Sequence, residues 1–94
     1  MTRKEILDHA ANAVLGDRDE TYGSPEDSFK CIAQMWSAYL GRQGLLTDLL
    51  DDVDVAAMMV LLKVARINPG APHLDNWIDI AGYAACGGEL DDRS

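Results

Sequence analysis

Apolar side chains recur at helical spacing along nearly the whole chain, and no segment alternates as a half-buried strand would. In the first segment Ile6, Ala10, Ala13 and Val14 share a face. Thr2 and Glu5 precede them at the spacing of a capping box, and Gly16 stops the run after Leu15. The stretch "SPED" at 24–27 opens a second helix, with Ser24 as cap, Pro25 at the first helical position, and Glu26 and Asp27 facing the positive end of the helix dipole. Its apolar stripe is Phe29, Ile32, Ala33, Trp36, Tyr39 and Leu40, closed by Gly41. Residues 51–67, "DDVDVAAMMVLLKVARI", are apolar at so many positions that this third helix reads as the central one. "NPGAPH" breaks it with two prolines and a glycine, and a fourth helix runs from about Leu74 to Glu89, its end loosened by Gly87 and Gly88. Residues 91–94 read as a disordered tail. The pattern predicts one all-α domain over 1–94, a four-helix bundle with the third and fourth helices at its central seam.

At 94 residues such a domain has a single small core, so self-association, at least into a homodimer, is expected. No apolar run approaches the roughly 18 residues of a membrane span, and the amphipathic start lacks the continuous apolar region of a signal peptide; a soluble, cytoplasmic protein without membrane contact is the expectation. The formal charge of −8, with no basic cluster to offset it, argues against direct binding to nucleic acid. It leaves open a solvated acidic surface, a cation site built from carboxylates, or docking on the basic groove of another protein. Cys31 and Cys86 lack a CxxC spacing and read as small core residues.

Three acids stand where the helical pattern does not ask for them. Asp75 and Asp79 lie one turn apart on the fourth helix, on a narrow stripe with Gly82 and Cys86. Small residues beside two acids leave either a wet groove or room for a neighbouring helix. Asp54 projects onto the apolar side of the third helix with Met58, Leu61 and Ala65, while Lys63 and Arg66 share another stripe with Asp52 and Met59. Two readings stay open. Asp54 and Asp75 lie in first turns, where carboxylates stabilise the dipole or a cap, and Asp79 can face solvent. Alternatively the three converge as an oxygen-only shell of the kind Mg²⁺ prefers, with Lys63 and Arg66 free to bind anionic oxygens. His9 and His73 lack a ligand partner in the sequence and read as structural, and Met58 and Met59 as core filler. No GxSxG, no Cys and His pair at a motif spacing and no GxxxxGK loop is present, so nucleophilic catalysis has no support.

Taken in order, "YGSPEDSFKCIAQMWSAYLG", "DVAAMMVLLKVAR" and "DNWIDIAGYAACG" resemble small phage and prophage proteins described as MazG-like nucleotide pyrophosphohydrolases, over roughly residues 17–89. The resemblance implies an all-α, dimeric or larger enzyme, phage-encoded and working in the host cytoplasm. Such an enzyme uses Mg²⁺ to split a nucleoside triphosphate into monophosphate and pyrophosphate. "DNWIDIAGYA" resembles the family's ExxD helix, with Asp79 in place of the metal-binding Asp, Asn76 where the Glu would stand, and Asp75 as its substitute. The family's EExxE helix has no match; the nearest acidic start is "DDVD", of which Asp54 leads into the matching block. The resemblance thus implies Asp54, Asp75 and Asp79 as metal-holding and catalytic residues, with Lys63 and Arg66 on the phosphates. It also puts Glu20, Tyr22 and Asn76 on the substrate side, and Trp36, Tyr39 or Trp77 against the base or in the core. Two non-enzymatic readings compete: an acidic protein that presents Asp48, Asp51, Asp52, Asp91 and Asp92 to a host defence or replication protein, and a nucleotide-binding sponge that keeps the cationic pair without hydrolysis.

Overall fold

The computed structural model describes residues 1–16 and 24–93. Among them are four α-helices and no strand: α1 Arg3–Leu15, α2 Pro25–Arg42, α3 Asp52–Ala65 and α4 Leu74–Asp92. The sequence expectation of an all-α fold is met, and three of the four helices begin as their caps predict. Thr2 and Glu5 close a reciprocal capping box on α1. The Ser24 hydroxyl accepts from the Asp27 amide at 3.2 Å, with Pro25 in the first turn of α2. On α3 the box is formed by Asp51 and Asp54: the Asp51 carboxylate accepts from the Asp54 amide at 2.8 Å, and Asp54 accepts from the Asp51 amide at 3.0 Å. α4 starts at His73 without a side-chain cap.

The main packing runs in the order α1, α4, α3, α2, with the α3–α4 seam the most extensive, as expected. α3 and α4 lie antiparallel along it, since Ala56 approaches Gly87 at one end and Lys63 meets Asp79 at the other. The core is made by Phe29 and Ala33 from α2, Val55 and Ala56 from α3, and Cys86 and Leu90 from α4. Val14, Ile32, Trp36, Val53, Met59 and Tyr83 pack around it, and the Tyr83 ring lies tilted against Phe29 at 6.1 Å. α1 reaches the assembly through Ala10 and Val14. A side chain on Gly82 would come within 3.2 Å of Val14, so the glycine is what lets α1 settle on α4. The α2–α3 connection is pinned by the buried Ser37, whose hydroxyl accepts from the Leu50 amide at 2.9 Å, and turns at Gly44 with φ 72°.

Two expectations need correcting. α4 does not loosen at Gly87 and Gly88 into a disordered tail but continues to Asp92. Gly87 provides a close approach, because a Cβ there would lie 2.9 Å from that of Ala56. One turn further on Leu90 is buried in the core, and Arg93 binds Glu89 and reaches Glu26 on α2 at 3.0 Å. Cys31 is exposed rather than core, because it sits on the face of α2 away from Phe29 and Ala33; Cys86 is buried as expected.

Candidate functional site

The α3–α4 seam is tight at its Ala56 end and opens at the other, where α3 ends and the 66–73 connection turns back into α4. That connection is shaped by Asn68, whose side-chain oxygen accepts from the Gly70 amide at 3.0 Å and whose carbonyl accepts from the Ala71 amide at 3.0 Å. Asn76, buried in the first turn of α4, donates its side-chain amide to the Arg66 carbonyl at 3.2 Å and so fixes the end of α3 against the start of α4. The result is a cavity of about 500 Å³ lined by Lys63, Arg66, His73, Asp75, Asn76 and Asp79.

Its centre is an ion pair across the seam, Lys63 Nζ to Asp79 Oδ2 at 2.9 Å, with the Lys63 side chain 15% and Asp79 38% exposed. The lysine stem is sheltered by the helices while its ammonium reaches the cavity. Each helix end suits its charges: Lys63 lies in the last turn of α3, where the dipole is negative, and Asp75 in the first turn of α4, where it is positive. Arg66 is exposed at the rim. His73 Nε2 stands 3.5 Å from Asp75 Oδ2, both side chains open to water.

Of the residues picked from sequence, Lys63, Arg66, Asp75, Asn76 and Asp79 line this one cavity. Asp54 does not. Its carboxylate is engaged in the cap of α3, at the opposite end of the helix, and its apolar neighbours Met58, Leu61 and Ala65 face outward. Among the described residues no three His, Cys, Asp or Glu side chains form a group that holds a metal, so the three-carboxylate shell is not assembled within this chain. Asn76 has a positioning role through the Arg66 backbone. His73, read from sequence as structural, is a sixth lining residue; its place two and three residues before Asp75 and Asn76 was the available signal. Glu20 and Tyr22 lie outside the described residues. Trp36 packs on the core, whereas Tyr39 and Trp77 are exposed.

The chain belongs to the DUF6378 family, a domain of unknown function whose pattern matches residues 5–91. It is similar to the gene 55 protein of Mycobacterium phage D29, 39% identical over 83 residues, which are 88% of this chain and 51% of that protein. The gene 55 protein of Mycobacterium phage L5 is likewise 39% identical over 79 residues, 84% of this chain and 47% of that protein. These relatives mark it as a phage-type protein, and it spans about half their length. No solved structure matches the chain. None of the described helices is long and apolar enough to cross a membrane.

Proposed function

We propose that the protein binds a nucleoside triphosphate together with Mg²⁺ in the Lys63–Asp79 cavity, and that the bound nucleotide is cleaved between its α and β phosphates. The observation that supports binding is the meeting of two cations and two carboxylates from α3 and α4 around one cavity. The cleavage half rests on the MazG-like resemblance. Lys63 supplies a point charge from a sheltered stem, and Arg66 a planar fork able to take two phosphate oxygens at once.

The donor set fits Mg²⁺ in one specific way. Asp75 and Asp79 offer oxygen atoms on adjacent turns, and Mg²⁺ is commonly held by one or two carboxylates plus substrate phosphates and waters rather than by an all-protein cage. Asp75 and Asp79 would hold it; when bound, it offsets phosphate charge and lowers the pKa of a coordinated water. In the protein alone Asp79 is balanced by Lys63. With a nucleotide present, Lys63 would turn its ammonium to phosphate, and Asp79, no longer paired, would be free to hold the cation with Asp75. In the cleavage a water oxygen forms a bond to the α phosphorus and loses its protons to solvent. The bond from that phosphorus to the bridging oxygen breaks, and its electron pair leaves with pyrophosphate.

Calorimetry against the ribo- and deoxyribonucleoside triphosphates, with and without Mg²⁺, tests the binding, and a pyrophosphate-release assay tests the cleavage. Binding should require Mg²⁺. Arg66→Lys should weaken it by roughly ten- to a hundredfold, the worth of a hydrogen bond to a charged group. Nucleotide binding that is absent, or indifferent to both Mg²⁺ and Arg66→Lys, overturns the reading; binding without pyrophosphate release leaves a nucleotide sponge.

A further inference from the structure

The four charged side chains of the cavity fall into two kinds. Lys63 and Asp79 are locked to each other across the α3–α4 seam, Nζ to Oδ2 at 2.9 Å, and the lysine is the most sheltered of the four. Arg66 and Asp75 are exposed instead. Asp75 faces the imidazole of His73 at the start of its own helix, and Arg66 is held through its backbone carbonyl by Asn76. The lining therefore carries one cation and one acid that mask each other, beside one of each that stand open to water. A masked pair is a contact that any ligand of either sign has to open.

We infer that the Lys63–Asp79 pair is an autoinhibitory latch, through which the cavity takes up a divalent cation and a phosphate group together and rejects either alone. The inference rests on the cation-and-phosphate reading of the cavity given above, and adds how that site is regulated. If Lys63 turns to a phosphate with no cation present, Asp79 is left unpaired beside an anion, a like-charge contact in a half-sheltered place. If Asp79 turns to a cation with no phosphate present, the sheltered Lys63 ammonium loses its counter-charge. In both cases one ligand carries the whole cost of opening the pair. With both present the pair opens once, and each released side chain meets an opposite charge. Linkage makes the effect reciprocal, so that each ligand tightens the other by the same factor. For a pair between the surface and buried limits that factor is about thirtyfold, the equivalent of about 2 kcal/mol.

Unlocking the latch with one ion at a time tests it without nucleotide or cleavage. Inorganic pyrophosphate, free of divalent ions, is titrated calorimetrically into the wild type, Asp79→Asn and Asp75→Asn. The two variants remove the same charge from the same cavity, but only Asp79→Asn releases Lys63. It should bind pyrophosphate about thirtyfold more tightly than the wild type, whereas Asp75→Asn should gain at most about fivefold, the worth of an exposed charge pair. The second arm titrates Mg²⁺ alone into Lys63→Met and Arg66→Met, where the first should gain about thirtyfold and the second at most about fivefold. Circular dichroism reports whether each variant is folded, and because the arms use different variants and ions, either one decides if a variant of the other is lost. The wild type should take up pyrophosphate with Mg²⁺ at least about thirtyfold better than without it. Equal gains from Asp79→Asn and Asp75→Asn, or from Lys63→Met and Arg66→Met, overturn the latch, because net charge alone then accounts for them. So does a wild type that binds pyrophosphate or Mg²⁺ alone as tightly as its unlocked variant. The expected gains together with a wild type that takes up Mg²⁺ and pyrophosphate but no nucleotide support the latch and overturn the nucleotide reading.

Discussion

The two ends of the α3–α4 seam are built from the same pair of helices and do opposite things. At the Ala56 end a Cβ on Gly87 would lie 2.9 Å from the Ala56 methyl, and the helices meet almost backbone to backbone in the apolar core. At the Lys63 end they are joined by an ion pair of 2.9 Å and leave an open cleft of about 500 Å³. Side-chain size and charge decide the difference. Alanine and glycine leave nothing to hold the helices apart, whereas a lysine and an aspartate must be kept hydrated or paired, and the space they require is the space a ligand can use. The candidate site is thus the open end of a seam whose closed end is the core.

Breaking the ion pair should have the largest effect. Asp79→Asn leaves the mostly sheltered Lys63 ammonium without its partner, and should cost about 2 kcal/mol, between the values for surface pairs and for buried ones. The double variant Lys63→Met, Asp79→Leu should recover most of that stability, because paired removal of both charges is often neutral or better. It should still fail to bind nucleotide. Thermal unfolding of the single and double variants checks the first point and calorimetry the second; a double variant as unstable as the sum of its parts would mean that the pair does not act as a unit.

The closed end is probed by a pair of adjacent glycines. Gly87→Ala places a methyl against Ala56 and should destabilise by about 1–2 kcal/mol, because the strain of overpacking exceeds the gain in helix propensity. Gly88→Ala meets nothing within 4 Å and should stabilise by up to about 1 kcal/mol. Denaturant midpoints that move the same way for both would contradict a tight closed end.

What the sequence revealed follows the same division. Helix starts were legible because caps are local chemistry: Thr2 with Glu5, and Ser24 with Pro25, act on amides within their own first turn. The convergence of Lys63, Arg66, Asp75 and Asp79 was legible as stripes on two helices that proved to be neighbours. Asp54 lies apart from Asp75 and Asp79 within the protomer, and its outward position became clear only once α2 and α4 had covered the other faces of α3. Asp51, three residues earlier, already offered it a cap. The length of α4 was underestimated because propensity alone makes Gly87 a weak point, while the contact with Ala56 that turns it into an asset spans the whole seam. Asn76 likewise needed its long-range partner, the Arg66 carbonyl, to disclose a positioning role.

Asp54→Ala separates cap from site and should have a smaller effect than either change above. It removes the acceptor of the Asp51 amide and should cost about 1 kcal/mol, in the range of lost capping interactions. The seam and its cavity lie at the far end of α3, so nucleotide affinity per protomer should stay within about twofold, a difference below 0.5 kcal/mol. A Mg²⁺-dependent loss of binding as large as that of Asp79→Asn would return Asp54 to the ligand set.

The smallest effect concerns the equivalent box on α1, which lies away from both ends of the seam. Glu5 accepts from the Thr2 amide at 3.3 Å and from the Thr2 hydroxyl at 3.0 Å, and these bonds hold its carboxyl below the ordinary glutamate value of 4.5. The sign follows from linkage. A depressed folded pKa means that the box contributes stability above the ordinary value, and that this contribution is lost as the pH falls through the folded pKa. Below that point the first turn of α1 should fray while α3, α4 and the cavity between them remain in place. The Thr2 amide resonance should therefore titrate with a midpoint below 4.5, and Glu5→Gln should abolish the transition. A midpoint at the ordinary value would mean that the Glu5 half of the box does not persist in solution, leaving only the Thr2 hydroxyl, which accepts from the Glu5 amide at 3.2 Å, to start the helix.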